Sequence, residues 1–207
     1  MPGVLEKLFG SASRIKIIRL FLLNPENLFI PKEISRRARI SSGTARREIL
    51  LLKNISFIKE KTETVDTLIK IKKGKIKNKK KKIRGLKLNE LFPFLIPLKN
   101  LVLNASPIDK EKLSKSLQTA GRMKLVLVSG IFTQSDNSRV DILLVGDSLK
   151  KSKMERILRN VEAEIGKELE YAFFTTKEFM YRYGMYDKFV RDVLDYPHEK
   201  LLNKLGV

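Results

Sequence analysis

The side chains in this sequence best suited to chemistry are cationic. Arg46 and Arg47 lie in ISSGTARREILLLKN (residues 40–54), directly after the small residues Ser42, Gly43 and Thr44. A guanidinium is planar and always charged, so it can hold a guanine edge bidentately or clamp a phosphate. Lys73, Lys75, Lys77, Lys79, Lys80, Lys81 and Lys82 follow in KKGKIKNKKKK (residues 72–82), with Lys32 further upstream. Lysine is a flexible point charge, suited to phosphate contact without base choice. Groups for catalysis are sparse. The absence of cysteine leaves neither a disulfide scaffold nor a thiolate metal site, and His198 is the lone histidine, set after Pro197. No histidine pair, Walker-type loop or GxGxxG motif occurs, so no cofactor and no metal are expected.

The charge is uneven. Residues 1–88 hold 24 Lys/Arg against 7 Asp/Glu, a net of +17, whereas residues 89–207 hold 19 against 16. Basicity confined to one half points to a polyanion partner for that half. Nucleic acid is favoured over an anionic membrane, because the lysine run alternates like a strand and has no large apolar helical face. The 43% hydrophobic content supplies a core. The apolar runs fall short of the ~20 residues a membrane span needs, and no secretory signal stands out, so a soluble cytoplasmic protein without membrane association is expected.

Periodicity supplies the elements that must position these residues. Ser11 can cap a helix over Ala12–Leu23, which Asn24-Pro25 ends. Leu28-Phe29-Ile30 is a short apolar connector with the character of a small strand. A helix over Pro31–Ala38 turns inward Ile34 and Ala38, and Arg39-Ile40-Ser41 makes a turn with Ile40 in the core. The next helix, Ser42–Lys53, is capped by Ser41 and buries Ala45, Ile49 and Leu52, leaving Ser42, Gly43, Thr44, Arg46 and Arg47 on the opposite face. Phe57–Glu63 opens a hairpin with a turn at Lys73-Gly74 or Asn78, and Gly85–Leu88 returns it.

Residues Ile40–Ile58 resemble the recognition helix and following strand of winged helix-turn-helix transcription regulators. The resemblance covers about the first 90 residues and implies double-stranded DNA as partner, with bases read from Arg46 and Arg47 and grip supplied by the lysine hairpin. Two departures stand out. Ser56 occupies the helix end where that family carries glycine, which implies a strained or reshaped turn. Leu50 and Leu51 replace polar residues, which implies a face covered by the second domain or a second copy.

Leu91–Ala105 is apolar with two prolines and is expected to form a broken helix, packed between domains or against a second copy. Asn104–Pro107 is the expected boundary, giving domains at 1–88 and 108–207 with a connection at 89–107. Beyond it the pattern predicts helices at Asp109–Thr119, Leu149–Lys167, Lys177–Tyr183 and Asp187–Leu194, and a short one near Glu199–Leu205. Strands are predicted at Met123–Val128, Val140–Val145 and Leu169–Thr175, an α/β alternation around a small sheet.

LVLVSGIFTQSDNSRVDILLVGDSL (residues 125–149) resembles the core of minimal nucleotidyltransferase domains, and TTKEFMYRYGMYDKFVRDVLDYP (residues 175–197) is similar to that fold's C-terminal end, through Thr176, Glu178, Phe179, Arg182, Phe189 and Pro197. The resemblance implies a Gly-Ser turn holding nucleotide phosphates and an Asp-x-Asp pair holding two metals. Here the turn is reversed, as Ser129-Gly130, and Arg139 stands where the first Asp belongs, leaving Asp141 with the distant Glu170. A guanidinium cannot bind Mg²⁺ and repels a cation beside Asp141. Arg139 and Asp141, two apart on a strand, are expected to share a face and pair.

The expectation is therefore an α+β protein of two domains, an N-terminal winged helix-turn-helix and a small C-terminal α/β nucleotidyltransferase-like domain. The function expected is a DNA-binding transcriptional regulator whose inactive second domain serves sensing or assembly of a homodimer. An active, antitoxin-like nucleotidyltransferase and a nucleic-acid-binding protein without sequence choice remain the alternatives.

Overall fold

A computed structural model of the chain describes residues 4–70, 76–103, 108–133, 135 and 137–207. It has a mixed α+β fold in two compact units, Met1–Pro107 with Ala163–Lys167, and Ile108–Glu162 with Glu168–Val207.

The first unit carries helices α1 (Val4–Phe9), α2 (Ala12–Leu23), α3 (Pro31–Ala38) and α4 (Ser42–Asn54), strands β1 (Ile58–Lys70) and β2 (Ile76–Leu88), and helix α5 (Leu95–Leu103). Helices α2 and α4 start at serine caps and α3 at a proline. Ser11 Oγ accepts from the Arg14 amide (3.2 Å) and Ser41 Oγ from the Thr44 amide (3.1 Å), while Pro31 enters at the first turn of α3. Arg39 closes α3 in the left-handed region (φ 51°), and Ile40 packs at the edge of the core. That core gathers Ile17, Ile18, Phe21, Phe29, Ile34 and Phe57 around the helices and the hairpin base.

The end of α4 shows what Ser56 does. Its amide donates to the Lys53 carbonyl and the Phe57 amide to the Leu52 carbonyl, both at 2.9 Å. This is the bond pattern of a Schellman stop, with Ser56 at φ +62° in the position that glycine usually fills. Leu51 is half-buried against the core, so its apolar character is accounted for within the unit. Leu50 is different: it is 59% exposed.

Strands β1 and β2 form an antiparallel hairpin in register from Ile58 opposite Leu88 to Lys70 opposite Ile76. The alternative turn at Asn78 is incorrect, because Asn78 stands in mid-strand opposite Leu68; Lys73-Gly74 lies outside the described residues. The connector contributes one bridge, Phe29 to Leu86, with bonds of 2.8 and 2.9 Å. Gly85 allows that approach, since a Cβ there would sit 2.7 Å from the Leu28 side chain. In α5, Pro97 falls in the first turn, where its missing N–H costs no helical bond, so the helix runs unbroken. Val102 is buried and Leu95 and Leu98 pack on the core, whereas Leu91, Phe94 and Ile96 are exposed.

The second unit carries helix α6 (Lys110–Gln118), strands β3 (Arg122–Val128) and β4 (Ile142–Asp147), helix α7 (Lys151–Ile165) except its last residues from Ala163, strand β5 (Tyr171–Phe174), helices α8 (Thr176–Gly184) and α9 (Lys188–Asp195), and strand β6 (Glu199–Asn203). The sheet order is β5-β4-β3-β6, with β4 and β5 parallel and the other pairs antiparallel. Leu125–Val128 and Ile142–Val145 are wholly buried, as expected for central strands covered on both faces. The expected helix near Glu199–Leu205 is a strand instead. A five-residue segment with two adjacent leucines carries little helical information, and the open edge of β3 supplies backbone partners that override local propensity.

Candidate nucleic-acid interface

Helix α4 has two faces of opposite character. Ala45, Ile49 and Leu52 are buried. Glu48 is also turned inward, where it accepts from Arg14 Nε and from Ser11 Oγ, both at 2.8 Å. This carboxylate ties the start of α2 to the middle of α4 and so fixes the rotation of α4 about its axis. The opposite face exposes Ser42, Gly43, Arg46, Arg47 and Leu50. Among the described residues no hydrogen bond or ion pair engages the guanidinium of Arg46 or Arg47. Both are therefore available to a ligand. Gly43 has open space where a side chain would be, the nearest atom to an added Cβ being Ser41 Oγ at 4.0 Å.

Thr44 does not join this exposed set. It is half-buried and its hydroxyl lies 2.9 Å from Ser41 Oγ, so it completes the cap of α4. Lys32 is exposed on the first turn of α3. Arg39, a turn residue by its place in the sequence, is exposed two positions before the α4 cap, and its left-handed backbone is what aims the chain into α4. Helical periodicity gives no signal for a residue between helices, so its contribution was not legible in that pattern.

The hairpin leaves α4 through a charge clamp. The Glu60 carboxylate is held by Lys53 Nζ on one oxygen and by Arg84 on the other, with Arg84 Nε at 2.9 Å. These two hydrogen-bonded cations pull the Glu60 carboxyl down to about 2. Further out, Lys80 and Lys82 are exposed, two apart on β2 and hence on one face of the strand. Lys77, Lys79 and Lys81 occupy the intervening positions of β2, opposite Ile69, Thr67 and Val65. Lys73 and Lys75 lie outside the described residues.

In the second unit, Ser129, Gly130 and Asp141 come together, and Arg139 does not pair with Asp141. Both precede β4 rather than lying in it, which releases them from the shared-face rule that predicted their pairing. Arg139 instead reaches Asp192 on α9, with Nε and Nη2 each 2.8 Å from Oδ2. The two oxygens of Asp141 accept from the Ile131 and Glu170 amides, both at 2.9 Å, and its own amide donates to the Glu170 carbonyl (2.6 Å). Gly130 has φ +54°, and a Cβ there would collide with Asp141 Oδ1. The Gly130 amide is taken by Ser138 Oγ (2.9 Å), and Ser129 Oγ donates to the Val140 carbonyl. These amides point into the unit's own side chains, and Asp141 acts as a staple joining the Ser129–Phe132 turn to the start of β5. Glu170 is exposed and supplies the staple with backbone groups. Among the described residues no group of three or more His, Cys, Asp or Glu could hold a metal.

Thr176, Glu178, Phe179 and Arg182 are engaged within the second unit itself. The Thr176 amide and hydroxyl donate to Asp147 (3.2 and 2.9 Å), which holds that carboxyl below its ordinary range. Phe179 is fully buried, and Arg182 pairs with Glu178 and stacks over Phe174, 5.0 Å from its centroid. His198 is half-buried, with Nδ1 2.9 Å from the Tyr196 carbonyl oxygen. No helix among the described residues is long and apolar enough to cross a membrane. Comparison with protein-family models, curated proteins and solved structures finds no match for this chain.

Proposed function

We propose that the protein is a DNA-binding transcriptional regulator. In this reading the first unit is a winged helix-turn-helix: α3 and α4 form the helix-turn-helix, α4 enters the major groove of double-stranded DNA, and β1–β2 is the wing. The observation that carries it is the exposed, unpaired Arg46–Arg47 pair on the face of α4 opposite its buried stripe, in a half of the chain with a net charge of +17. Near the N-terminal end of such a helix, side chains reach base edges. The lysines of β2 add phosphate contacts that raise affinity for any sequence. The second unit is a catalytically inactive nucleotidyltransferase-like domain that serves sensing or homodimer formation. Support for inactivity comes from Arg139 in place of a metal-binding Asp and from Asp141 occupied by two backbone amides.

The test is selection of random duplexes on the purified full-length chain, followed by binding of the recovered site over a salt series. Selective binding whose log K falls by about 0.9 per phosphate neutralised is the expected result. Absence of duplex binding at low salt refutes the proposal. Transfer of labelled nucleotide by the wild type in Mg²⁺ or Mn²⁺ would refute the inactive assignment of the second unit.

A further inference from the structure

A single exposed leucine is ordinary on a protein surface and asks for no explanation. Leu50 is set apart by its line. Gly43, Arg46, Arg47 and Leu50 recur at i, i+3, i+4 and i+7, so they form one stripe along the exposed face of α4. The stripe begins at a glycine with open space around it, continues through two unpaired guanidinium groups, and ends on an apolar side chain that is 59% exposed. Leu51, the neighbouring leucine, is half-buried against the core. Among the described residues, no packing of the unit calls for an apolar residue at position 50. With a rise of about 1.5 Å per residue, Gly43 to Leu50 spans roughly 10 Å, or about three base-pair steps.

The floor of a major groove offers mainly hydrogen-bonding groups to such a stripe. Its one apolar feature is the C5-methyl group of thymine, whereas the guanine N7 and O6 acceptors suit arginine. We infer that Leu50 is a base-reading residue that packs against a thymine methyl, within about three base pairs of the guanine contacts of Arg46 and Arg47. This rests on the DNA-binding reading of α4 and adds to it a defined chemical element of the target site. Leucine cannot exchange hydrogen bonds with a groove edge, so its selectivity is for a methyl and against the polar edge of cytosine.

The experiment uses the full-length chain and the duplex recovered by selection. Each thymine is replaced singly by deoxyuridine, which pairs identically but lacks the methyl, and affinity is measured at one fixed salt for wild type, Leu50→Ala and Leu50→Met. For the wild type, one or two replacements should weaken binding by about threefold to tenfold, the scale of one buried methyl contact. Leu50→Ala should bind the unmodified duplex with a similar loss and ignore those same replacements, whereas Leu50→Met should keep the sensitivity. Leu50 is largely exposed, so thermal unfolding of both variants should match wild type.

Indifference of the wild type to every deoxyuridine overturns the inference while leaving the DNA-binding proposal intact. Equal sensitivity in wild type and Leu50→Ala overturns it as well, by assigning the methyl contact elsewhere. A Leu50→Ala protein that changes sedimentation rather than methyl sensitivity would place Leu50 under a second copy of the chain, again against the inference. Failure to select any duplex removes the DNA-binding proposal, and the inference with it.

Discussion

Replacing Lys80 and Lys82 with glutamine tests the division between grip and reading. Both lysines are exposed on one face of β2 and have no partner among the described residues, so the double variant should fold with stability within about 0.5 kcal/mol of wild type. If each neutralises one phosphate, the slope of log K against log salt should shrink by about 1.8. Between 50 and 200 mM salt that difference amounts to roughly tenfold, so the variant loses less affinity over this range than wild type does. Its preference between the selected and a scrambled duplex should be unchanged, because lysine-phosphate contacts carry no sequence information. Arg46→Ala and Arg47→Ala should do the reverse, narrowing that preference by about 1–3 kcal/mol wherever the guanidinium reads a base bidentately. Fluorescence anisotropy of labelled duplexes over a salt series reads both quantities at once. An unaltered slope in the lysine variant, or a loss of preference equal to that of the arginine variants, would refute the assignment of separate roles.

Four further outcomes follow from the geometry. Ser56→Gly relieves a left-handed serine (φ +62°) and should stabilise the first unit by about 0.5–1 kcal/mol, a gain that a denaturant midpoint will register; no gain would mean that Ser56 is unstrained. Gly43→Ala should fold at least as well as wild type, since the added methyl meets open space and alanine favours helix, yet it should weaken duplex binding; undiminished binding would remove Gly43 from the interface. Asp141→Ala should cost the second unit about 2–4 kcal/mol by stranding the Ile131 and Glu170 amides, whereas Arg139→Ala, at a half-exposed ion pair, should cost under about 1 kcal/mol; equal costs would refute the staple. Because the Glu60 carboxyl is lowered to about 2 from an ordinary 4.5, its stabilising effect is complete above 4.5 and is lost as pH falls toward 2. Glu60→Gln should therefore flatten the acid limb of stability below pH 4.5, and an unchanged limb in a pH series of melting curves would count against the clamp.

Much of the first unit is legible in its sequence because local signals there agree with tertiary ones. Ser11, Pro31 and Ser41 start helices where they stand in the chain, and the buried stripe of α4 follows helical spacing. The hairpin turn was ambiguous, since Lys73-Gly74 and Asn78 both have turn chemistry, and strand register, a non-local property, excludes Asn78. Strand β6 was illegible for the same kind of reason, its conformation being set by the edge of β3 rather than by Glu199–Asn203 themselves.

The pairing of Arg139 fails at a finer level and says more about the site. Spacing of two implies a shared face only inside a strand, and β4 starts at Ile142. Upstream of it the chain is free to send Arg139 to Asp192 and Asp141 to two amides, so the two side chains serve different structural ends. In α4 the opposite holds. The buried side chains, including the Glu48 carboxylate, are engaged inside the unit, and the exposed residues without a partner among the described residues include a contiguous stripe of glycine, two arginines and a leucine. An exposed leucine is ordinary taken singly, and its interest here lies in its alignment with Arg46 and Arg47. That stripe is the reason α4 is proposed as the reading surface, and the Arg46, Arg47 and Leu50 variants are where the proposal stands or falls.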